Sequence, residues 1–287
     1  MKIVDILNQD KISVSCELFP PKQWAQLEDA KKTVRDIASV NPSFMSITYG
    51  ASGGTSEYTV DLANEIQNVN GVPALAHLTC VSSTEEKVKS VVESLKEHKI
   101  ENILALRGDI PANPETPLPQ QYRYASELVE QIKSLGDFCI GGACYPEGHP
   151  EAPSIDADLE HLRIKVEAGC EFLTTQMFFD NSTLYSFMYR MIKKGIDVPV
   201  VAGIMPITTA AQVKRTVALS NSIFPQRFRA IVDRFGDNPE AMKQAGIAYA
   251  TEQIIDLIAN GVKNIHIYTM NKPDITSRIF ENISHII

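Results

Sequence analysis

Short apolar runs recur along the chain, and charged or amphipathic stretches separate them. Eight of these runs are rich in apolar residues, including β-branched and aromatic ones, which is typical of buried strands. The predicted strands cover residues 12–18, 44–49, 74–80, 102–107, 139–145, 172–178, 198–204 and 264–269. Because helix-compatible segments lie between these strands, the pattern indicates repeated βα units and a parallel sheet.

The segment 85–96 is a clear example of such a helix-compatible stretch. Ser83 or Thr84 can serve as its N-cap, and Glu85 and Glu86 place negative charge in its first turn, where the helix dipole favours it. Its apolar residues recur at helical spacing on one face: Val88, Val91, Val92 and Leu95. We therefore expect an amphipathic helix that packs this face against the sheet.

The longest interval between predicted strands runs from 206 to 263 and contains at least two helical stretches, separated at 235–239. This interval predicts an extra helical elaboration between strands seven and eight. Apart from a Pro-rich loop at 111–119, nothing in the sequence resembles an interdomain linker. With 287 residues, the chain suits one α/β domain over 1–287, a single (β/α)8 TIM barrel.

Composition narrows the classes of function. The formal net charge of −8 disfavours binding to a nucleic-acid backbone or an anionic membrane. No apolar run approaches the ~20 residues of a spanning helix, and residues 1–10 lack an apolar signal core, so a cytoplasmic protein is expected. The five cysteines are odd in number and form no C-x-x-C pair, which predicts reduced thiols rather than disulfides or a zinc site.

Polar residues gather where the predicted strands end, and in β/α barrels that rim holds the active site. Glu17 is flanked by apolar residues, so burial should raise the pKa of its carboxyl toward the range useful for a general acid. An internal ion pair is the alternative for Glu17. Arg107, Gly108 and Asp109 place a cation and an anion around a residue that lets a ligand approach closely, or they form a salt-bridged turn.

The histidines near the rim allow two interpretations. His77 and His149 are either metal ligands or hydrogen-bonded core residues, and the first strand lacks the H-x-H pair of many barrel hydrolases. His266 alternates with isoleucines, which predicts an inward-packed strand residue rather than a ligand. No G-x-G-x-x-G follows the first strand and no G-x-x-x-x-G-K-[ST] occurs, so neither common nucleotide-binding loop is supported.

Across essentially its whole length the sequence resembles bacterial methylenetetrahydrofolate reductases. Seven motifs occur in the order found in that family. They are Glu17-Leu18-Phe19-Pro20-Pro21, Thr48-Tyr49-Gly50-Ala51, His77-Leu78-Thr79-Cys80, Leu106-Arg107-Gly108-Asp109, Tyr145-Pro146-Glu147 with His149-Pro150-Glu151, Thr175-Gln176 with Phe178-Phe179-Asp180, and Tyr268-Thr269-Met270-Asn271.

The resemblance implies an FAD-dependent enzyme that reduces 5,10-methylenetetrahydrofolate to 5-methyltetrahydrofolate, the methyl donor for methionine synthesis. NADH or NADPH and the folate would use the same flavin face in turn, in a ping-pong hydride transfer. Glu17 would protonate N10 of the folate, and Asp109 would orient the folate and tune the flavin. The family also implies small-molecule partners only and a homo-oligomer.

The same resemblance implies a set of binding residues. Those that would contact the cofactor or, for Thr48, the nicotinamide are Thr48, Tyr49, Ala51, His77, Arg107, Gly108, Asp109, Ala125, Tyr145, His149, Ala152, Asp158, His161 and Lys165. Those that would contact the folate are Asp109, Gln176, Gln212 and Lys272. Lys165 and Arg107 suit phosphate oxygens, and Asp158 suits a ribose hydroxyl.

Three positions depart from the family pattern. His161 stands where relatives often have Asn, Ile164 where they often have Arg, and Thr216 where some have a Phe that covers the nicotinamide. These departures bear on the affinity for FAD and on how the dinucleotide lies, and they leave Glu17 and Asp109 in place.

Two other functions fit parts of this pattern. A metal-dependent barrel hydrolase could use Glu17, His77, Asp109 and His149 as ligands, and it would be colourless where a flavoprotein is yellow. A flavin- or folate-binding protein without turnover would have no need of an acid at position 17. The sequence does not distinguish NADH from NADPH.

Overall fold

The computed structural model describes residues 1–49, 56–110, 118–220 and 222–287. Eight parallel strands form a closed barrel in chain order, with β1 hydrogen-bonded to β8. The strands are β1 (Ser13–Leu18), β2 (Met45–Ile47), β3 (Ala74–Thr79), β4 (Asn102–Leu106), β5 (Cys139–Cys144), β6 (Phe172–Thr175), β7 (Val200–Ile204) and β8 (Asn264–Tyr268). The predicted α/β class, strand number and closure are confirmed.

Helices surround the barrel. They are α1 (Ile3–Leu7), α2 (Leu27–Ala38), α3 (Ser56–Asn64), α4 (Glu85–Glu97), α5 (Ala125–Leu135), α6 (Ile155–Glu167), α7 (Asn181–Lys193), α8 (Ala210–Ser220), α9 (Gln226–Phe235), α10 (Pro239–Ala259) and α11 (Pro273–Ile283). Helix α4 begins as predicted, because the Thr84 hydroxyl caps it by accepting the Lys87 N–H at 3.2 Å, and its four apolar residues are buried. Within the described residues, none of the helices combines the length and the apolar character needed to cross a membrane.

Most strands end earlier than their apolar runs. The run that contains β6 continues to Phe178, but pairing stops at Thr175. Phe178 is nevertheless fully buried, because it packs in the layer between the barrel and its helices. The apolar run therefore predicted the buried residues correctly, but it overestimated the length of the hydrogen-bonded strand.

Helix α1 closes the amino-terminal end of the barrel. Its Ile3, Ile6 and Leu7 pack on an inner layer that includes Phe44 and Phe172, and all five are buried. The Ile3 N–H also donates to the side chain of buried Asn102 at 2.8 Å. Since this end is filled by apolar side chains, a polar site inside the barrel has room only toward the carboxyl ends of the strands.

Three helices, α8, α9 and α10, lie between β7 and β8. They enclose a cluster of stacked aromatic rings in which Phe179 follows β6, Phe224 precedes α9 and Phe228 lies within it. Glu147, after β5, accepts the Ile223 N–H at 3.1 Å. This contact ties the connection between α8 and α9 to the rim of the barrel.

Candidate active site

Strand register places a group of polar side chains on the inner face of the barrel. Glu17 pairs with Ser46 of β2 on one side and with Tyr268 of β8 on the other, and Ser15 pairs with His266. Residues in register on neighbouring parallel strands point to the same face, and residues two apart on one strand do so too. Ser15, Glu17, Ser46, His266 and Tyr268 therefore converge; we call them the floor cluster.

The carboxylate of Glu17 lies at the centre of this cluster, with its side chain 20% exposed. Its Oε2 is 3.5 Å from Ser46 Oγ, 3.5 Å from His77 Nε2 and 3.6 Å from His266 Nε2. His77 comes from β3 and is buried. One carboxyl oxygen thus has three polar neighbours from three strands, at distances that allow small adjustments to form short hydrogen bonds.

The surroundings of Glu17 correct one expectation from the sequence. Burial acts to raise the pKa of its carboxyl, but the hydrogen bond from His266, the charges of His77 and His266 and the hydrogen bond from Ser46 outweigh burial, so the pKa lies below its ordinary value. His77 is neutral at pH 7, because burial lowers its pKa to about 4, so its charge acts on Glu17 only in acid. The neighbours of Glu17 in the sequence are apolar, whereas its polar partners come from other strands, so the sequence alone predicted a shift in the wrong direction.

Tyr268 fills the barrel beside the carboxylate. Its hydroxyl donates to the Thr175 carbonyl at 2.5 Å, which means that the ring spans from β8 across β7 to β6. Gly203 of β7 makes this possible, because a Cβ there would lie 2.5 Å from the Thr175 oxygen and 2.6 Å from Tyr268 Oη. Burial raises the pKa of the Tyr268 phenol well above its ordinary value, so it remains a hydrogen-bond donor.

The rim above β4 and β5 carries a second set of polar residues, here called the rim cluster: Arg107, Asp109, Tyr145, His149 and Glu151. Arg107 donates to both carboxylate oxygens of Glu151, at 2.6 and 2.7 Å. The rings of Tyr145 and His149 meet edge to face with centroids 4.6 Å apart. Asp109 is exposed. Burial, helped by the charge of Asp109, raises the pKa of Tyr145 to about 12, and the hydrogen bond with Glu151 is the main cause that raises the pKa of Arg107.

Gly108 lies between the two charged residues of the rim with φ +85°, a left-handed conformation that favours glycine. A Cβ there would lie 3.0 Å from Thr79 Cβ, so the backbone of this turn packs tightly on β3. The His149 N–H donates to Asp158 of α6 at 3.1 Å, which joins the turn after β5 to that helix. Burial, with the charge of Arg107, lowers the pKa of His149.

Lys165 of α6 points inward rather than toward open solvent. Its Nζ donates to the Ala143 carbonyl at 2.6 Å, and burial lowers its pKa. A cation in this position can meet a phosphate only if the side chain turns outward. Among the other positions proposed for the cofactor, Thr48 is half-buried, Tyr49 is buried and Ala51 lies outside the described residues.

Three further predicted contacts lie on or next to helices α5 and α6. Ala125 is the first residue of α5 and is buried, and the Ala152 N–H donates to the His149 carbonyl at 2.9 Å. His161 is exposed on α6 and stacks on Tyr124 with ring centroids 6.3 Å apart. The departure at 161 therefore places a ring pair on the surface between α5 and α6.

Besides Asp109, three folate contacts are proposed, and they lie on or next to β6, α8 and α11. Gln176 follows β6, and its backbone N–H donates to the Cys144 carbonyl at 2.7 Å. The side-chain oxygen of Gln212 accepts the Thr208 N–H at 2.9 Å and so caps the start of α8. Lys272 precedes α11 as its N-cap residue. Of the two remaining departures, Thr216 is buried and Ile164 is exposed.

Sequence reasoning missed Ser15 and Ser46 and took His266 for a packing residue. Its inward position is confirmed, since His266 is 1% exposed, but both of its ring nitrogens have polar partners. The alternation of Ser13, Ser15 and Glu17 along β1 could have indicated a polar inner face. Over residues 1–49, 56–110, 118–220 and 222–287, no three His, Cys, Asp or Glu side chains form a group that could hold a metal ion.

Comparison with known proteins identifies the family of this chain. The family model for methylenetetrahydrofolate reductase matches residues 2–284. The chain belongs to the methylenetetrahydrofolate reductase family. It is 35% identical to the 5,10-methylenetetrahydrofolate reductase of Pectobacterium carotovorum subsp. carotovorum, over 94% of this chain and 90% of that protein. The resemblance inferred from the seven motifs is confirmed.

Two other comparisons extend the picture of this reductase family member. Methylenetetrahydrofolate reductase (NADH) 1 of Arabidopsis thaliana is 34% identical over 94% of this chain, which corresponds to 49% of the plant protein. A solved structure of an uncharacterized protein from Clostridium thermocellum, which binds two copies of 5-methyl-5,6,7,8-tetrahydrofolic acid, covers 100% of both chains with a TM-score of 0.71. At 14% identity, that match concerns the fold alone.

Proposed function

We propose that this protein reduces 5,10-methylenetetrahydrofolate to 5-methyltetrahydrofolate with NADH or NADPH as reductant and FAD as hydride carrier, in a ping-pong sequence. The observation that carries the proposal is the Glu17 carboxylate, set among His77, His266 and Ser46 at the open end of a barrel of this family. Opening the folate's five-membered ring requires a proton on N10, and in this proposal the Glu17 carboxyl supplies it.

The rim cluster has the chemistry to bind a flavin dinucleotide. Arg107 offers a guanidinium for phosphate oxygens, and the Tyr145 and His149 rings offer apolar faces. His77 Nε2 is buried and makes no hydrogen bond among the described residues, and the Glu17 carboxylate lies 3.5 Å from it, so a ligand atom at the floor cluster could pair with either group. When bound, FAD would carry hydride from the nicotinamide to the folate.

The remaining proposed residues bind and orient. The exposed Asp109 carboxylate can accept hydrogen bonds from the amino and ring N–H groups of a pterin, and Gln176 and Gln212 can add amide contacts. Lys272 can pair with a carboxylate of the folate's glutamate tail. The folate-binding neighbour of like fold and the plant relative named for NADH support these classes of ligand for this chain.

An anaerobic visible spectrum tests the proposal. The purified protein should absorb near ~450 nm, as bound flavins do. This band should bleach on addition of NADH or NADPH and return on addition of methylenetetrahydrofolate, so that the two half-reactions are seen separately. A colourless protein that also fails to bind added FAD would overturn the cofactor assignment, and bleaching without recovery would overturn the folate assignment.

A further inference from the structure

A cavity of about 320 Å³ lies between helices α2 and α3, on the outside of the barrel. Trp24 and Leu27 line it where α2 begins, and Asp61 and Asn64 line it from α3. Small-molecule sites range from about 300 to 1,000 Å³, so the cavity suits a small ligand. None of its described lining residues belongs to the floor cluster, the rim cluster or the residues proposed for flavin, nicotinamide or folate. The cavity is therefore a separate place on the molecule.

The charges that line this cavity do not balance. Glu28 and Lys31 pair with each other at 3.1 Å along α2, and Glu65 pairs with Arg35 at 3.0 Å across the two helices. Asp61 is half-buried and makes no hydrogen bond or ion pair with any residue that the structure describes. A carboxylate that is partly removed from water is stabilised by a cation, and the chain supplies none to Asp61. A cationic ligand would supply this missing charge.

Aromatic rings lie beside this carboxylate. Trp24 is 62% exposed, and its ring centroid is 5.6 Å from that of Tyr58, with the planes tilted by 43°. Tyr58 lies one helical turn before Asp61 on α3, so the two side chains share a face of the helix. Leu27, which is buried, adds an apolar wall. The faces of aromatic rings attract cations, most strongly for the indole of tryptophan.

The kind of cation follows from what the cavity lacks. Over the part of the chain that the structure describes, no three His, Cys, Asp or Glu side chains form a group that could hold a metal ion. A primary ammonium has three N–H donors, each of which needs an acceptor. Beside Asp61, the side-chain oxygen of Asn64 already accepts from Asn68 at 2.7 Å. A methylated ammonium has no N–H to satisfy and places methyl groups against the rings, so it fits better.

We propose that the cavity between α2 and α3 binds a small methylated ammonium ion, with its charge beside Asp61 and its methyl groups on the ring of Trp24. Tyr58 positions the Trp24 ring. The net charge of −8 adds a general attraction for cations. The proposal goes beyond the reductase activity and does not depend on it, so a failure of the flavin or folate assignment leaves it intact.

A fluorescence titration tests the proposal directly, because Trp24 is the single tryptophan of the chain. Choline should change the emission of the purified protein in a saturable way, and sodium chloride at the same ionic strength should not. Ethanolamine, the primary amine of the same skeleton, and 3,3-dimethyl-1-butanol, the uncharged isostere of choline, should each bind about 10-fold more weakly or less tightly still. No saturable response to choline, equal binding of the alcohol, or tighter binding of ethanolamine would overturn the proposal.

Variants show whether the named residues form the site. Asp61→Asn should weaken choline binding by about 5-fold or more. Asp29→Asn is the matched control, because Asp29 is an exposed carboxylate of α2 that does not line the cavity and its loss changes the net charge equally. Tyr58→Phe should retain binding and Tyr58→Leu should weaken it, and urea unfolding checks that each variant is folded. Equal affinities in Asp61→Asn and Asp29→Asn, or in the two Tyr58 variants, would refute the site.

Trp24→Leu removes both the ring and the fluorescent reporter, so its binding is measured by saturation transfer from the protein to the choline methyl protons in NMR. The unmutated protein should give a clear transfer signal that excess unlabelled tetramethylammonium abolishes, and Trp24→Leu should lose most of it. A signal of the same size in Trp24→Leu would show that choline binds elsewhere and would overturn the proposal.

Discussion

The floor cluster and the rim cluster are built in different ways. The floor residues are held by strand register, lie inside the barrel and contact one another through Glu17. The rim residues follow the strands, and their strongest contact is the ion pair of Arg107 with Glu151, whose side chain is 58% exposed. A site supported by strands has little freedom to move, whereas one supported by loops can adapt. We therefore expect floor substitutions to affect chemistry and rim substitutions to affect binding.

Glu17→Gln should have the largest effect. Folate reduction should fall by about 10²–10⁴-fold, the usual contribution of a general acid, because glutamine cannot donate the proton. Flavin content and reduction by NADH or NADPH should be retained. Glu65→Gln is the control, since Glu65 is also a buried carboxylate but pairs with Arg35 at 3.0 Å between the outer helices. If both half-reactions failed together in Glu17→Gln, Glu17 would be a binding or structural residue.

Gly203→Ala tests how strictly the floor is packed. The new methyl carbon would lie 2.5 Å from the Thr175 carbonyl oxygen, which is closer than two non-bonded atoms can approach. Because that oxygen belongs to the backbone, the barrel must distort. We expect a loss of about 1–3 kcal/mol in the free energy of unfolding, measured in urea, together with slower folate reduction. Gly136→Ala is the control, because φ there is 166° and the nearest atom, in the Phe138 ring, is 3.1 Å away. Equal losses in the two variants would mean that Tyr268 is not tightly held.

The fold could be predicted from the sequence because buried parallel strands and amphipathic helices leave strong local patterns. Thr84 and the apolar face of α4 are examples in which each residue acts within its own segment. The floor cluster could be predicted only in part. Glu17 was identified from its neighbours in the chain, but Ser46 and His266 acquire their roles from strands 29 and 249 residues away, and only register reveals these contacts.

The rim was harder to predict for a different reason. Lys165 was assigned to phosphate from the resemblance, and the structure directs its amine to the Ala143 carbonyl. The partner of Arg107 is Glu151, 44 residues later, which no local pattern indicates. Loop residues obtain their contacts from the path of the chain after each strand, and that path is not encoded by periodicity.

The pH dependence of stability tests His77, the β3 residue that lies 3.5 Å from Glu17 in the floor cluster. His77 has a pKa of about 4 in the folded protein against an ordinary value of 6.5, because burial disfavours its charged form. Between these values the unfolded chain binds the extra proton, so acidification from pH 6.5 toward 4 destabilises the folded state. His77→Asn should lower the slope of the free energy of unfolding against pH in this range by the equivalent of about one proton, which is about 1.4 kcal/mol per pH unit. Urea unfolding at several pH values measures this slope. Parallel curves for the two proteins would show that His77 is not held neutral.

Glu151→Gln should have the smallest effect on stability and should separate the rim from the floor. A solvent-exposed ion pair contributes less than about 1 kcal/mol, so the free energy of unfolding should change by no more than that. Removing a carboxylate from Arg107 leaves the guanidinium available to an anionic ligand, so FAD should bind about 2- to 5-fold more tightly, as an exposed charge contact of that size allows.

A matched ion pair shows whether this effect is specific to the rim. Glu160 and Arg163 form a similar pair on α6, so Glu160→Gln should change stability as little as Glu151→Gln and leave FAD binding unchanged. The folate half-reaction of the flavin-loaded protein should be the same in both variants, because neither residue contacts the floor cluster. Weaker FAD binding in Glu151→Gln would mean that Glu151 holds Arg107 in its binding position. Slower folate reduction would mean that the rim and the floor act as one site.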